Sequence, residues 1–238
     1  LGLHLDEMEQ RLLEETFGLL TRNNLAQPQV VMHRDFHSRN LMVLADESLA
    51  VIDFQDMVCG PLTYDLVSLL KDCYVRWPLS LVNDLVALGY QHYQAADLLG
   101  DMDEAVFRSA LALTGMQRHL KAAGIFCRLH HRDGKSGYLK DIPRTLFYVW
   151  ETACAEPELQ SFAAWLEQRV LPHFPYQPQS EVSSWSSSSR ESRVASRAAT
   201  SAAPAARRSA TSRSAASPAR GRCARAAAAP SRENTPAS

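Results

Sequence analysis

The sequence predicts an α+β chain, mostly helical, with a short β segment gathered around one polar loop and a compositionally distinct tail. Three observations carry this. Apolar runs at residues 30–32, 41–44 and 50–52 are short, rich in Val, Leu, Met and Ile, and bounded by polar residues, as buried strands are. From Asp65 to Phe174 the apolar residues recur with helical spacing, punctuated by Trp77-Pro78, Gly100, Gly134-Lys135 and Pro157. Beyond that point the chain turns to Ser, Ala, Arg and Pro.

Taken in order, residues 5–22 read as an amphipathic helix with Leu5, Met8, Leu12, Phe17 and Leu20 on its apolar stripe. Asp6 and Glu9 stand at the spacing of a capping box. Asn23-Asn24 and Pro28 end that helix before the first strand. A turn at Asp46-Glu47-Ser48 joins the second and third strands, and a loop with Gly60-Pro61 runs from Gln55 to Tyr64. Helices are expected over 65–75, 80–99, 103–131, 140–155 and 157–171, the long one with a break near Gly115 or Gly124. His130-His131 fit a solvated helix C-terminus better than a metal site, because adjacent helical side chains point apart.

Composition narrows the class. The chain is 46% hydrophobic and 21% charged, with a net charge of −1 that describes neither part. Residues 176–238 hold ten Arg against three Glu, a charge of +7, so residues 1–175 carry −8. The tail, 175–238, lacks Leu, Ile and Met from residue 176 on and cannot bury enough surface to offset its ordering entropy, so disorder is expected. Its abrupt onset and GC-rich codon set suggest out-of-frame translation. No apolar run approaches the ~20 residues of a membrane span. Five scattered cysteines without a CxxC pair point to reduced thiols and a cytoplasmic location. The tail's arginines are not interleaved with aromatics, so neither a nucleic acid nor a membrane is expected as partner.

The chemistry concentrates in residues 33–56. His33, Asp35, His37 and Asn40 share one loop, and Asp53 ends the third apolar run. Strand ends bring such side chains to one rim. Phosphoryl transfer needs a carboxylate to orient the attacking hydroxyl and accept its proton, and oxygen ligands to hold Mg²⁺ on the nucleotide phosphates. Asp35 suits the first role, Asn40 and Asp53 the second.

The order His-x-Asp-x4-Asn followed by Asp-Phe matches the protein-kinase set. With His37 two residues after Asp35, and Ile52-Asp53-Phe54-Gln55-Asp56 following, the stretch resembles the aminoglycoside and small-molecule phosphotransferase family. HRDFHSRNLMVL, VIDFQDMVCGPLTYDLVSLLKDCYVRWP, GMQRHLKAAGIF and RDGKSGYLKDIPR resemble in particular the bacterial N-acetylmuramate/N-acetylglucosamine kinases of peptidoglycan recycling. The resemblance implies a protein-kinase-like C-terminal lobe over 1–174, ATP and Mg²⁺ as cofactors, and transfer to the anomeric hydroxyl of a free amino sugar. It makes Asp65 a scaffold under the loop, beside its local role as a helix N-cap. His33 and His37 would support the loop or contact phosphate, and Asp56 and Arg76 would stand near substrate.

A kinase lobe with a glycine-rich hairpin and a strand Lys is not found before His33, where the chain has no lysine. Little activity is therefore expected of the isolated chain. An aminoglycoside- or choline-type acceptor, and a non-catalytic kinase-like binding module, are the alternatives. The −8 of residues 1–175 favours a cationic acceptor; the length of the resemblance favours the amino sugar.

Overall fold

The computed structural model describes residues 2–176, and the tail expected over 175–238 lies outside them beyond Tyr176. The architecture is helical with two small antiparallel sheets. Helix α1 (Glu7–Ala26) opens with the capping box: Asp6 accepts from the Glu9 N–H at 2.8 Å, and Glu9 accepts from the Asp6 N–H at 3.1 Å. The stripe differs from the expected one. Leu12 and Leu20 pack inward as expected, but Met8 and Phe17 are 75% and 50% exposed, and Leu13, Thr16 and Leu19 take their place on the packed face. A 3.6-residue period allows either register, and packing against later helices selects between them.

Strand β1 (Gln29–Met32) pairs with β4 (Val58–Pro61), running from Gln29 opposite Pro61 to Met32 opposite Val58. Strands β2 (Leu41–Val43) and β3 (Leu49–Val51) form a hairpin over the Asp46 turn, where Ser48 donates to the Asp46 carboxylate. The sequence did not indicate β4. Its Gly60-Pro61 pair reads as loop, and only the edge position of a two-stranded sheet tolerates that proline. Nor is the hairpin buried: nine large apolar residues between Met42 and Val58 are 40–63% exposed.

Helix α2 (Tyr64–Leu70) is shorter than expected, α3 (Leu79–Ala95) follows, and α4 (Glu104–Asp133) runs unbroken for 30 residues. Gly115 does not break α4. A Cβ there would sit 2.8 Å from Val67 Cγ2, so this glycine admits α2 to close contact. Gly134, at φ 66°, closes α4 as a left-handed cap. After a 3₁₀ segment over Ser136–Asp141 come α5 (Ile142–Ala155) and α6 (Gln160–Arg169). His130 and His131 lie in the last turn of α4, where His130 Nδ1 meets Ser136 Oγ at 3.1 Å.

The buried side chains fall into two clusters bridged by α4. One joins Leu20, Met116, Phe126, Ile142, Val149, Phe162 and Leu166; the other joins Leu62, Val67, Leu70, Val82, Val86, Phe107 and Leu111. Where α1, α2 and α4 meet, Gln27, Thr63 and Thr114 make a buried hydrogen-bonded knot. Cys73, Cys127 and Cys154 are free thiols. Among the described residues no helix is long and apolar enough to cross a membrane.

One core group is acid-sensitive. His119 is 1% exposed, stacks on Tyr148 with centroids 4.8 Å apart, and donates Nε2–H to the Lys71 carbonyl at 2.7 Å. That bond satisfies a carbonyl just past the end of α2. Burial, with Arg118 adding, pushes its pKa from 6.5 down to about 3. The unfolded chain therefore takes up the proton first. The stability due to His119 is fully present above pH 6.5 and is lost as pH falls, by about 2 kcal/mol at pH 5. Urea unfolding at pH 7.5 and 5.0 should show that much less loss in His119→Gln than in the parent chain. Equal losses would exclude His119 as the sensitive group.

Candidate active site

The loop between β1 and β2 is short and conformationally demanding. Arg34 adopts φ 75°, and Asp53 just past β3 adopts φ 67°, both in the left-handed region that L side chains rarely occupy. Such strain persists only when surrounding contacts fix it. At Arg34 the fixing group is Asp65, which stands inside the first turn of α2 and not at the expected N-cap position, taken by Thr63. The Asp65 carboxylate accepts the His33 N–H at 2.6 Å and the Arg34 N–H at 3.0 Å. Buried His33 donates Nε2–H to the Ile52 carbonyl at 2.9 Å, which ties β1 to the end of β3; its Nδ1 has no partner among the described residues.

Asp35, Asn40 and Asp53 lie together. Asn40 Nδ2 donates to the Asp35 carbonyl at 2.9 Å and reaches Asp53 Oδ2 at 3.5 Å. The Asn40 carbonyl in turn accepts the Ile52 N–H at 3.1 Å. Gln55 holds the other Asp53 oxygen, Oδ1, at 2.6 Å. Asp35 is exposed, and its carboxylate takes no hydrogen bond from the described residues. Asn40 faces Asp53 Oδ2 with its amide nitrogen, and the two side chains between them carry carboxylate and amide oxygens, the hard ligand type that suits Mg²⁺. Asp35 joins them through its backbone carbonyl.

The remaining predicted residues fall in different places. His37 lies half-buried, its ring edge-on to Tyr74 at 5.5 Å and its Nδ1 without a hydrogen bond. Burial lowers its pKa, Arg118 and Arg39 add to that, and Asp72 and Asp35 oppose it, so the imidazole is neutral at pH 7. Asp56 is exposed, and its backbone carbonyl accepts from Arg34 at 3.3 Å. Arg76 is committed elsewhere: it forks onto Glu151 at 3.0 and 2.7 Å and lies over the Phe147 and Tyr148 rings.

Two neighbours, Arg39 and Asp72, were not singled out for the site from the sequence. Arg39 lies over the Tyr74 ring at 3.6 Å, between Ser38 and Asn40 in the chain. Buried Arg118 reaches Cys73 Sγ at 3.4 Å. Asp72, two residues past the end of α2, is also buried at the loop, and its partner Ser38 lies too far away in sequence to have marked it.

Comparison with known proteins follows the same residues. Positions 2–105 match a phosphotransferase enzyme family. The chain is 42% identical over 159 residues to an N-acetylmuramate/N-acetylglucosamine kinase of Pseudomonas putida, covering 67% of this chain and 47% of that one. It is 41% identical over 170 residues to the kinase of the same name from Neisseria meningitidis, covering 71% and 51%. For that of Caulobacter vibrioides the figures are 32% over 149 residues, 61% and 39%. The chain spans about half the length, or less, of these curated relatives.

The strain at Arg34 is testable without any activity. Arg34→Gly and Arg34→Ala remove the same side chain, but only glycine occupies φ 75° without steric cost. The glycine variant should be the more stable by about 1 kcal/mol in urea unfolding, the reverse of their order in a helix.

Proposed function

We propose that this chain, which belongs to the phosphotransferase enzyme family, carries the metal- and acceptor-facing part of an ATP-dependent small-molecule kinase. The observation that carries the reading is the meeting of Asp35, Asn40 and Asp53, with Asn40 bonded to one and 3.5 Å from the other. Asp35 orients the acceptor hydroxyl and takes its proton as that oxygen bonds to the γ-phosphorus and the bond to ADP breaks. Asn40 Oδ1 and Asp53 Oδ2 would hold Mg²⁺, which neutralises charge on the phosphates. Asp65 holds the loop backbone and does not touch the reacting atoms. His33 fixes the loop to β3, and neutral His37 lines it.

For the acceptor we propose the anomeric hydroxyl of N-acetylmuramate or N-acetylglucosamine, in cell-wall recycling in the cytoplasm. The support is that the relatives at 41–42% identity bear those names. Arg76, forked onto Glu151, then braces α5 against the segment after α2 and offers no free cation to substrate.

The described residues contain no glycine-rich hairpin or paired lysine above Asp53. The exposed apolar hairpin face from Met42 to Val58 is where a nucleotide-cradling segment would pack. Positioning supplies most of the rate in such a reaction, so the 238-residue chain alone should show phosphate transfer only at background. Rapid ATP-dependent phosphorylation of N-acetylmuramate by the purified chain would contradict this.

Binding tests the core of the reading directly. The chain should take up Mg²⁺·ADP in calorimetric titration, and Asp53→Asn should weaken that uptake by about tenfold or more. Asp35→Asn should leave it within about twofold, because its carboxylate serves the acceptor and not the metal. Nucleotide uptake indifferent to both Mg²⁺ and Asp53 would remove the kinase reading.

A further inference from the structure

A second carboxylate holds the loop at the end opposite Asp65. Asp72 is fully buried. Its Oδ2 accepts the Ser38 backbone N–H at 3.1 Å and the Ser38 hydroxyl at 2.6 Å, and its Oδ1 accepts the Tyr74 N–H at 2.9 Å. A carboxylate removed from water is costly unless donors replace its hydration, and here three do. The Tyr74 bond alone would be a local turn at the end of α2. The two Ser38 bonds cross 34 residues of sequence to reach the 3₁₀ turn Ser38–Asn40. That turn begins after His37, whose side chain makes no capping bond.

We propose that Asp72 is a positioning residue that caps the Ser38–Asn40 turn from outside and so directs Asn40 towards Asp53. This rests on the kinase reading for the role of Asn40, though not for the hold on the turn. The placement uses α2 as a spacer. Asp65 stands in the first turn of α2 and Asp72 two residues past its last, and they grip the loop at His33-Arg34 and at Ser38. The spacer is anchored, because Val67 is fully buried where α2 meets Gly115 of α4. The same carboxylate sets Tyr74, the ring that carries Arg39 and faces His37. One buried group therefore fixes the turn and its aromatic support together.

The test uses the full chain with Asp72→Asn, and Ser38→Ala as a milder variant that loses only the hydroxyl donor. Amide hydrogen exchange is read by NMR, and Mg²⁺·ADP uptake by calorimetry. Exchange at Ser38 to Leu41 should rise about tenfold or more in Asp72→Asn and less in Ser38→Ala, while the amides of β1 and those held by Asp65 stay unchanged. Uptake of Mg²⁺·ADP should weaken by about tenfold in Asp72→Asn, the loss typical of removing a group that orients a metal ligand. Unchanged exchange at Ser38 in both variants would overturn the proposal. So would an equal rise throughout α2 and α4, the mark of a merely structural group, or a loosened turn that binds Mg²⁺·ADP as before. If the parent chain takes up no Mg²⁺·ADP, the kinase reading fails, and the exchange pattern still decides whether Asp72 holds the turn.

Discussion

The bonds from the Asp65 carboxylate to the His33 and Arg34 amides are the constraint on which the rest of the site depends. They hold Arg34 at φ 75° against steric preference, and that reversal turns the chain out of β1 so that Asp35 faces solvent. A charge-assisted pair to backbone N–H groups is among the stronger hydrogen bonds a protein makes, which suits it to oppose strain of a few kcal/mol at most. The carboxylate is only as fixed as α2, and α2 is fixed by its close approach to α4 at Gly115. The long helix therefore reaches the chemistry without contributing a reacting group.

The hairpin shows the opposite economy. Its residues are as apolar as a core strand, yet from Met42 to Val58 they face outward. Soluble monomers seldom leave so many large apolar side chains together in water. The pattern that suggested burial was thus read correctly as apolar and wrongly as covered. A covering surface is also what the proposed division of the site requires, since Asn40 and Asp53 flank this hairpin at its base.

Much of the fold was legible because it rests on local signals. The capping box of α1, the Asp46 turn and the glycine cap of α4 each need only a few neighbouring residues to form. The mostly helical α+β architecture followed from them. What could not be read depended on distant partners. Pro61 lies in β4 because Gln29 pairs with it, and Gly115 continues a helix because Val67 needs the room. At the site, the motif residues were visible through their order. Asp72 was not, because its significance lies in Ser38, 34 residues away.

Net charge is a poor guide to the acceptor. The −8 of residues 1–175 favours a cationic substrate, but the groups around the loop do not share that sign. Arg34, Arg39 and Arg118 all stand near it, and the latter two depress the His37 imidazole along with burial. Of the nearby carboxylates, Asp65 serves two amides, Asp72 three donors and one oxygen of Asp53 Gln55, whereas that of Asp35 stays open. Hydrogen bonds from neutral donors keep these carboxylates ionised, so it is the arginines that offset them. The loop thus carries charge of both signs, and the total over residues 1–175 does not choose the acceptor.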